Sequence, residues 1–220
     1  MALIKKVPKT FLLSLAYLLC VATLSHATSL SFSYNFSTPG ALTSPDLKYM
    51  SNATAAGDRV DLTKNRNWST GRLAYGRPVQ LWDDTGKVAS FTSNFTFVIK
   101  SLDRSAQGDG MAFFVGTYPP DLPPDSGGGL LGLVSSPFNP DNTDSPAATV
   151  AVEFDAFRNE WDPKNTWCHV GVDVNNISSV AYAALPDGCF NGAMSAWVRY
   201  DANASRLSVT LRFDDQPGLG

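Results

Sequence analysis

The chain has 220 residues, 44% of them hydrophobic and 17% charged, with 17 Lys and Arg against 20 Asp and Glu and a formal net charge of −3. An acidic balance excludes the basic footprint that nucleic acid or an anionic membrane surface requires, so neither is expected as a partner. The length suits a single domain able to bury its own core.

From the N-terminus, Lys5, Lys6 and Lys9 precede an apolar run from Phe11 to Leu24, and Ser25-His26-Ala27 follows. Basic, then apolar, then small is the order of a secretory signal peptide. The run is shorter than the roughly 20 apolar residues that cross a bilayer, and no later segment is long enough either. Residues 1–27 are therefore expected to be a leader and 28–220 the mature domain, secreted and with no membrane span in this chain. A buried N-terminal helix would leave Lys5 and Lys6 unexplained. Loss of those three lysines would take the net charge from −3 to about −6.

Cys20 leaves with the leader, and Cys168 and Cys189 remain as an even pair bound for an oxidising compartment, where one disulfide is expected. Two free buried thiols stay open as the alternative, because bridging needs Cα atoms within about 7 Å. Asn-x-Ser/Thr sequons stand at Asn35, Asn52, Asn67, Asn94, Asn176 and Asn203, which points to a glycoprotein.

Alternating apolar runs separated by Gly, Pro, Asn and Asp clusters predict an all-β sandwich or barrel, with no convincing helical period. Leu30, Phe32, Tyr34 and Phe36 fall on one face of a first predicted strand. Ala89, Phe91, Phe95, Phe97 and Ile99 line one face of another, with Asn94 and Thr96 opposite. Further strands are predicted at 110–115, 149–155, 169–174, 194–200 and 206–213. Turn-rich joints at 119–129 and 137–146 separate some of them. There are no internal repeats.

The chemistry concentrates in the run from Val152 to Pro163 and in His169. Glu153 and Asp155 are two apart on a strand, so both carboxylates leave the same face while Val152 and Phe154 leave the other. Like charges crowded on one sheet face are costly unless a cation sits between them. Hard oxygen donors from Asp155, the Phe157 carbonyl, Asn159 and Asp162 suit calcium. An imidazole from His169 added to Glu153, Asp155 and Asp162 suits a transition ion. The reading is two neighbouring metals sharing two carboxylates; a solvated acidic strand with one incidental histidine is the plain alternative.

The segment 150–176 resembles the metal-binding segment of the legume (L-type) lectin family. Gly71-Arg72-Leu73-Ala74-Tyr75, Pro78-Val79-Gln80-Leu81-Trp82, the strand 88–99 and Gly108-Asp109-Gly110-Met111-Ala112-Phe113-Phe114 resemble further family blocks, in the family's order. The resemblance implies a concanavalin-like jelly-roll β-sandwich that binds carbohydrate with the help of Ca2+ and Mn2+ and is not an enzyme. It implies manganese at Glu153, Asp155, Asp162 and His169, with Ser179 holding a metal-bound water. It implies calcium at Asp155, Asn159, Asp162 and the Phe157 carbonyl. The implied sugar site is the Asp109 carboxylate, the Gly129 amide, the Asn159 carboxamide and the Phe157 ring, with the Gly108–Asp109 peptide cis. Glycans or glycoproteins are the implied partners, and a homodimer is left open.

Some features depart from the family pattern. The spacing from Asp162 to His169 is one residue longer than in many soluble members, and the family's last strands and specificity loop would lie beyond Gly220, so those strands are expected to be lacking. The cysteine pair and the sequon density look more like the extracellular lectin domain of plant lectin receptor kinases. A metal-strutted ectodomain or decoy for a non-sugar ligand, at the plasma-membrane exterior, is thus the second reading. A jelly-roll glycoside hydrolase is a third. Retaining hydrolysis needs a second carboxyl about 5 Å from the first, and the positions after Asp155 that would supply it hold Phe157 and Arg158.

Overall fold

The computed structural model describes residues 29–100, 108–136, 148–186, 190 and 192–214. The chain divides into two units, Met1–Tyr34 and Asn35–Gly220. In the described part of the first, the Phe32 and Tyr34 rings lie 6.1 Å apart and no strand forms, contrary to expectation. Alternation states which face a side chain takes once a neighbouring strand pairs; it does not supply the ladder hydrogen bonds.

Among its described residues the second unit is all-β apart from short 3-10 turns at Ala41–Thr43 and Gly128–Leu130. Its strands are β1 (Leu47–Ser51), β2 (Thr54–Ala56), β3 (Arg59–Asp61), β4 (Gly71–Tyr75), β5 (Phe91–Ile99) and β6 (Gly110–Val115). They continue with β7 (Val150–Asp155), β8 (Cys168–Val174), β9 (Ala181–Leu185), β10 (Gly192–Asp201) and β11 (Arg206–Phe213). One antiparallel sheet runs β11-β10-β5 and another β6-β7-β8-β9, with β1-β4 and β2-β3 as separate pairs.

The three-stranded and four-stranded sheets pack into a sandwich because each offers an apolar face. Phe97 from β5, Met194, Ala196 and Val198 from β10 and Phe213 from β11 bury against Val152 and Phe154 of β7 and Cys168 of β8. The Phe154 ring sits 4.7 Å from Phe97 and edge-on to Phe95 at 6.0 Å, the offset and T-shaped contacts that aromatic quadrupoles favour. In β5 the odd positions turn inward and Asn94 and Thr96 outward, as the alternation predicts, although Ala89 lies before the strand and is exposed.

The opposite face of β7 meets a second cluster, in which Ala151 packs with Leu130, Leu133 and Ile177. The loop after β6 therefore lies over the face from which the carboxylates project. Asn35, Asn67, Asn94, Asn176 and Asn203 are exposed. Asn52 is half-buried, and its carboxamide donates to the Thr70 carbonyl and accepts from Arg66, each at 3.1 Å. No helix among the described residues is long and apolar enough to cross a membrane.

Candidate functional site

Register brings the acidic face together. In the β7–β8 ladder Asp155 stands opposite His169 and Glu153 opposite Gly171, so both carboxylates and the imidazole leave the sheet on one side. Glu153, Asp155 and His169 are all buried, and one ligand atom from each lies within 4.8 Å of the others. The His169 Nε2 is 3.0 Å from Glu153 Oε1, which also accepts a short hydrogen bond from the Ser179 hydroxyl. The Phe157 amide donates to Asp155 Oδ1 at 2.8 Å, and the Asn159 amide donates to Asp162 Oδ2 in a short contact. Glu153 and Asp155 at the C-terminal end of β7 thus meet His169 at the start of β8 and Ser179 beyond its end, with Asn159 and Asp162 in the turn that follows β7.

These groups do not satisfy one another. Glu153 Oε2, Asp155 Oδ2, Asn159 Oδ1 and His169 Nδ1 are buried without a hydrogen-bond partner. Unpaired buried polar atoms are costly, and a set made of carboxylate, amide and imidazole donors fits divalent cations of the calcium and manganese kind. The electrostatics agree. Burial, then the charge of Asp162, pushes Asp155 up to about 8, and burial also raises Asp162. Burial alone would lower His169, but the hydrogen bond and charge of Glu153, with Asp155 and Asp162 behind it, raise it.

Residues outside the expected set complete this corner. Asp173 lies on the same face of β8, and burial and the neighbouring Glu153 push it up to about 9. Both of its oxygens are buried without a hydrogen-bond partner, which adds to the uncompensated polar atoms of this corner. Gly171 is required beneath Glu153, since a Cβ there would overlap Glu153 Oε1 and Ser179 Oγ and stand 2.9 Å from Glu153 Cγ. Period-2 counting along His169-Val170-Gly171-Val172-Asp173 could have found both.

The expected sugar-site residues converge beside the cluster. Asn159 hydrogen-bonds the Asp109 carboxylate, which burial nonetheless raises. The Asp109 carbonyl accepts from the Ala156 amide at 2.8 Å, which ties it to the end of β7. A Cβ on Gly129 would lie 2.6 Å from Asn159 Cγ, so Asp109, Gly129 and Asn159 are immediate neighbours. The Phe157 ring is 41% exposed, enough to offer a face to a ligand. The Gly108–Asp109 peptide, expected cis, is not; Tyr118–Pro119 is the cis bond among the described residues. A non-proline peptide favours trans by roughly 3 kcal/mol.

Arg72 positions the loop that carries Gly129. Its guanidinium lies 4.1 Å above the Phe114 ring and donates to the carbonyls of Asp121 and Gly132, and burial lowers its pKa to about 10. The sequence shows Arg72 only as part of a family block. Cys168 is buried on β8, while Cys189 lies outside the described residues, as do residues 1–27, where a leader is expected.

A jelly-roll sandwich with an acidic-imidazole corner and an Asp-Gly-Asn trio above it defines a concanavalin-like lectin fold. The family model described as the legume lectin domain matches residues 29–218, and the chain belongs to that family. It is similar to Lectin 10 of Medicago truncatula, 38% identical over 152 residues, which cover 66% of this chain and 52% of the relative. It is likewise similar to the seed lectin of Vatairea macrocarpa, 42% identical over 147 residues, with coverages of 66% and 56%. Among solved structures, a lectin from Bauhinia forficata in complex with GalNAc matches with a TM-score of 0.70 and 30% identity, over 86% of this chain and 80% of that one. The chain spans about half the length of the two relatives compared by sequence. The family is one of carbohydrate-binding proteins that are not enzymes.

Proposed function

We propose that this chain is a secreted lectin that binds a mono- or oligosaccharide in a calcium- and manganese-dependent manner. The observation that carries the reading is the contact of Asn159 with both Asp109 and Gly129 directly beside a buried cluster of orphaned metal-type donors. In this reading Asp109 accepts hydrogen bonds from sugar hydroxyls, Gly129 N–H and Asn159 Nδ2 donate, and Phe157 covers the apolar face of the pyranose. Calcium would be held by Asp155, Asn159, Asp162 and the Phe157 carbonyl. Manganese would be held by Glu153, Asp155, Asp162 and His169, with Ser179 beside a bound water.

The ions supply the positive charge that lets these carboxylates stay ionised side by side. The residues do the rest. Asn159 hands the order of the metal corner to Asp109 through one hydrogen bond, and Arg72 holds the Gly129 loop against it. GalNAc is bound by the Bauhinia lectin, and N-acetylhexosamines and hexoses are the ligand classes to examine first. The Cys168–Cys189 bridge, the leader at 1–27 and N-glycosylation at the exposed sequons belong to the same secreted reading.

A glycan array with protein secreted from eukaryotic cells, run with both ions and with chelator, tests it. Binding with ions, its loss on chelation and its loss in Asp109→Asn at unchanged metal content are expected. Binding that survives chelation with no metal detectable by elemental analysis would overturn the metal dependence. An array with no signal for ion-loaded protein would overturn the carbohydrate reading.

A further inference from the structure

Of the six sequon asparagines, Asn94 alone lies within a strand; the others sit in turns, bends and connecting segments. A strand fixes the direction of its side chains, so a glycan attached there is aimed, whereas one on a loop is not. In β5 Asn94 points away from the core, and the register of the β10–β5 ladder places it directly opposite Trp197. Trp197 stands between Ala196 and Val198, both buried in the core, so its indole leaves β10 on the same outer face as Asn94. Directly opposite side chains of an antiparallel pair begin about 5 Å apart at Cβ, within the reach of a pyranose carried on the Asn94 amide.

The indole is half-buried and held in place. Arg212 reaches it from β11, the strand on the far side of β10 from Asn94, with the guanidinium carbon 5.2 Å from the ring centroid. Asp214 fixes that guanidinium at 2.6 Å and accepts from the Ser195 hydroxyl at 2.7 Å, and Ser195 lies 3.1 Å from the Thr96 hydroxyl. Thr92 and Thr96, the outward neighbours of Asn94 on β5, are too short to stand between Asn94 and the ring.

We propose that the glycan on Asn94 is docked on the chain that carries it, its first N-acetylglucosamine packing a C–H face against the Trp197 indole and so bracing the outer face of the three-stranded sheet. The inference rests on the secreted reading above and is independent of the metal and sugar sites. The occupant is set by covalent attachment and register: the pyranose that Asn94 carries is the one delivered to this ring, and an aromatic face is what its apolar side packs on.

Peptide mapping of protein secreted from eukaryotic cells first reads the occupancy of Asn94, which is expected to be glycosylated. Melting is then compared for wild type, Asn94→Gln, Trp197→Thr and the double variant, in secreted protein and in protein made without glycosylation. Asn94→Gln should lower the melting temperature of secreted protein by about 2–4 °C, the scale of one aromatic contact in a chain of this size. It should change nothing in the Trp197→Thr background or in unglycosylated protein. Trimming each glycan to its first N-acetylglucosamine should keep the shift, because that ring makes the contact. In wild type, nuclear Overhauser contacts between the indole protons and that ring are expected, and they decide the question if a Trp197 variant fails to fold. An equal Asn94→Gln shift with and without Trp197, the same shift in unglycosylated protein, loss of the shift on trimming, or no indole contact to the sugar overturns the docking and leaves the secreted reading standing. So does an unmodified Asn94 beside other occupied sequons. Occupancy at no sequon fails the secreted reading and the docking together.

Discussion

Gly129 lies so close to Asn159 that a Cβ on it would stand 2.6 Å from the carboxamide carbon and 2.7 Å from Nδ2. The loop after β6 and the turn after β7 can meet only because position 129 has no side chain. Gly129→Ala should therefore push Asn159 off Asp109. A loss of glycan affinity of at least about 100-fold is expected, from a displaced hydrogen-bond donor and a filled approach, with a stability cost of about 1–3 kcal/mol for overpacking. Glycan titration and thermal melting check it. Full affinity in a folded Gly129→Ala protein would remove this trio as the sugar site.

Gly171 plays the corresponding part under the metal corner. Gly171→Ala must displace Glu153, since the new methyl would overlap its Oε1 and the Ser179 hydroxyl. Manganese content measured by elemental analysis should fall, and stability should drop by about 1–3 kcal/mol. Wild-type manganese stoichiometry in Gly171→Ala would show that Glu153 is not a ligand.

The pH dependence should reverse sign with metal. In chelated protein Asp155 is raised to about 8 and Asp173 to about 9, and Asp162 and His169 are raised as well. Groups raised on folding bind protons more tightly when folded, so their stabilisation is complete below their unfolded values and is lost as pH climbs through the folded ones. Stripped protein should melt several degrees higher at pH 5 than at pH 8. Loaded protein should do the opposite, because protons compete with the ions for the same ligands. Parallel melting series with and without chelator decide it; the same slope in both would show that no metal binds this cluster.

Cys168 is buried in the sandwich core at the start of β8, where oxidation to anything but a disulfide would be hard to accommodate. Non-reducing peptide mapping of the secreted protein should recover Cys168 linked to Cys189. The chain-entropy model puts the contribution of such a loop of about 20 residues at roughly 3 kcal/mol. Two thiols alkylated without reductant would rule the bridge out.

The sequence by itself determined much of this protein, and the reason is period. Alternation placed Val152 and Phe154 in the core and Glu153 and Asp155 together on the other face, and it placed Asn94 and Thr96 outward on β5. Strands 110–115 and 206–213 were legible to the residue, because continuous apolar alternation bounded by turn residues leaves few choices. Where alternation is short or forms no ladder, the reading failed. The short β1, β2, β3, β4 and β9 carry too few residues for a pattern, and 30–36 alternates well without forming a ladder.

Tertiary structure alone decided which distant loops touch. Nothing local in Gly127-Gly128-Gly129 says that one glycine admits Asn159 while its neighbour leaves a gap between Trp68 and Asp109. Nor does the sequence of β4 say that Arg72 clamps the carbonyls of Asp121 and Gly132. Such contacts join residues about 30 to 60 positions apart, and their geometry is set by how two sheets close over a shared core. Local propensity carries no record of that packing.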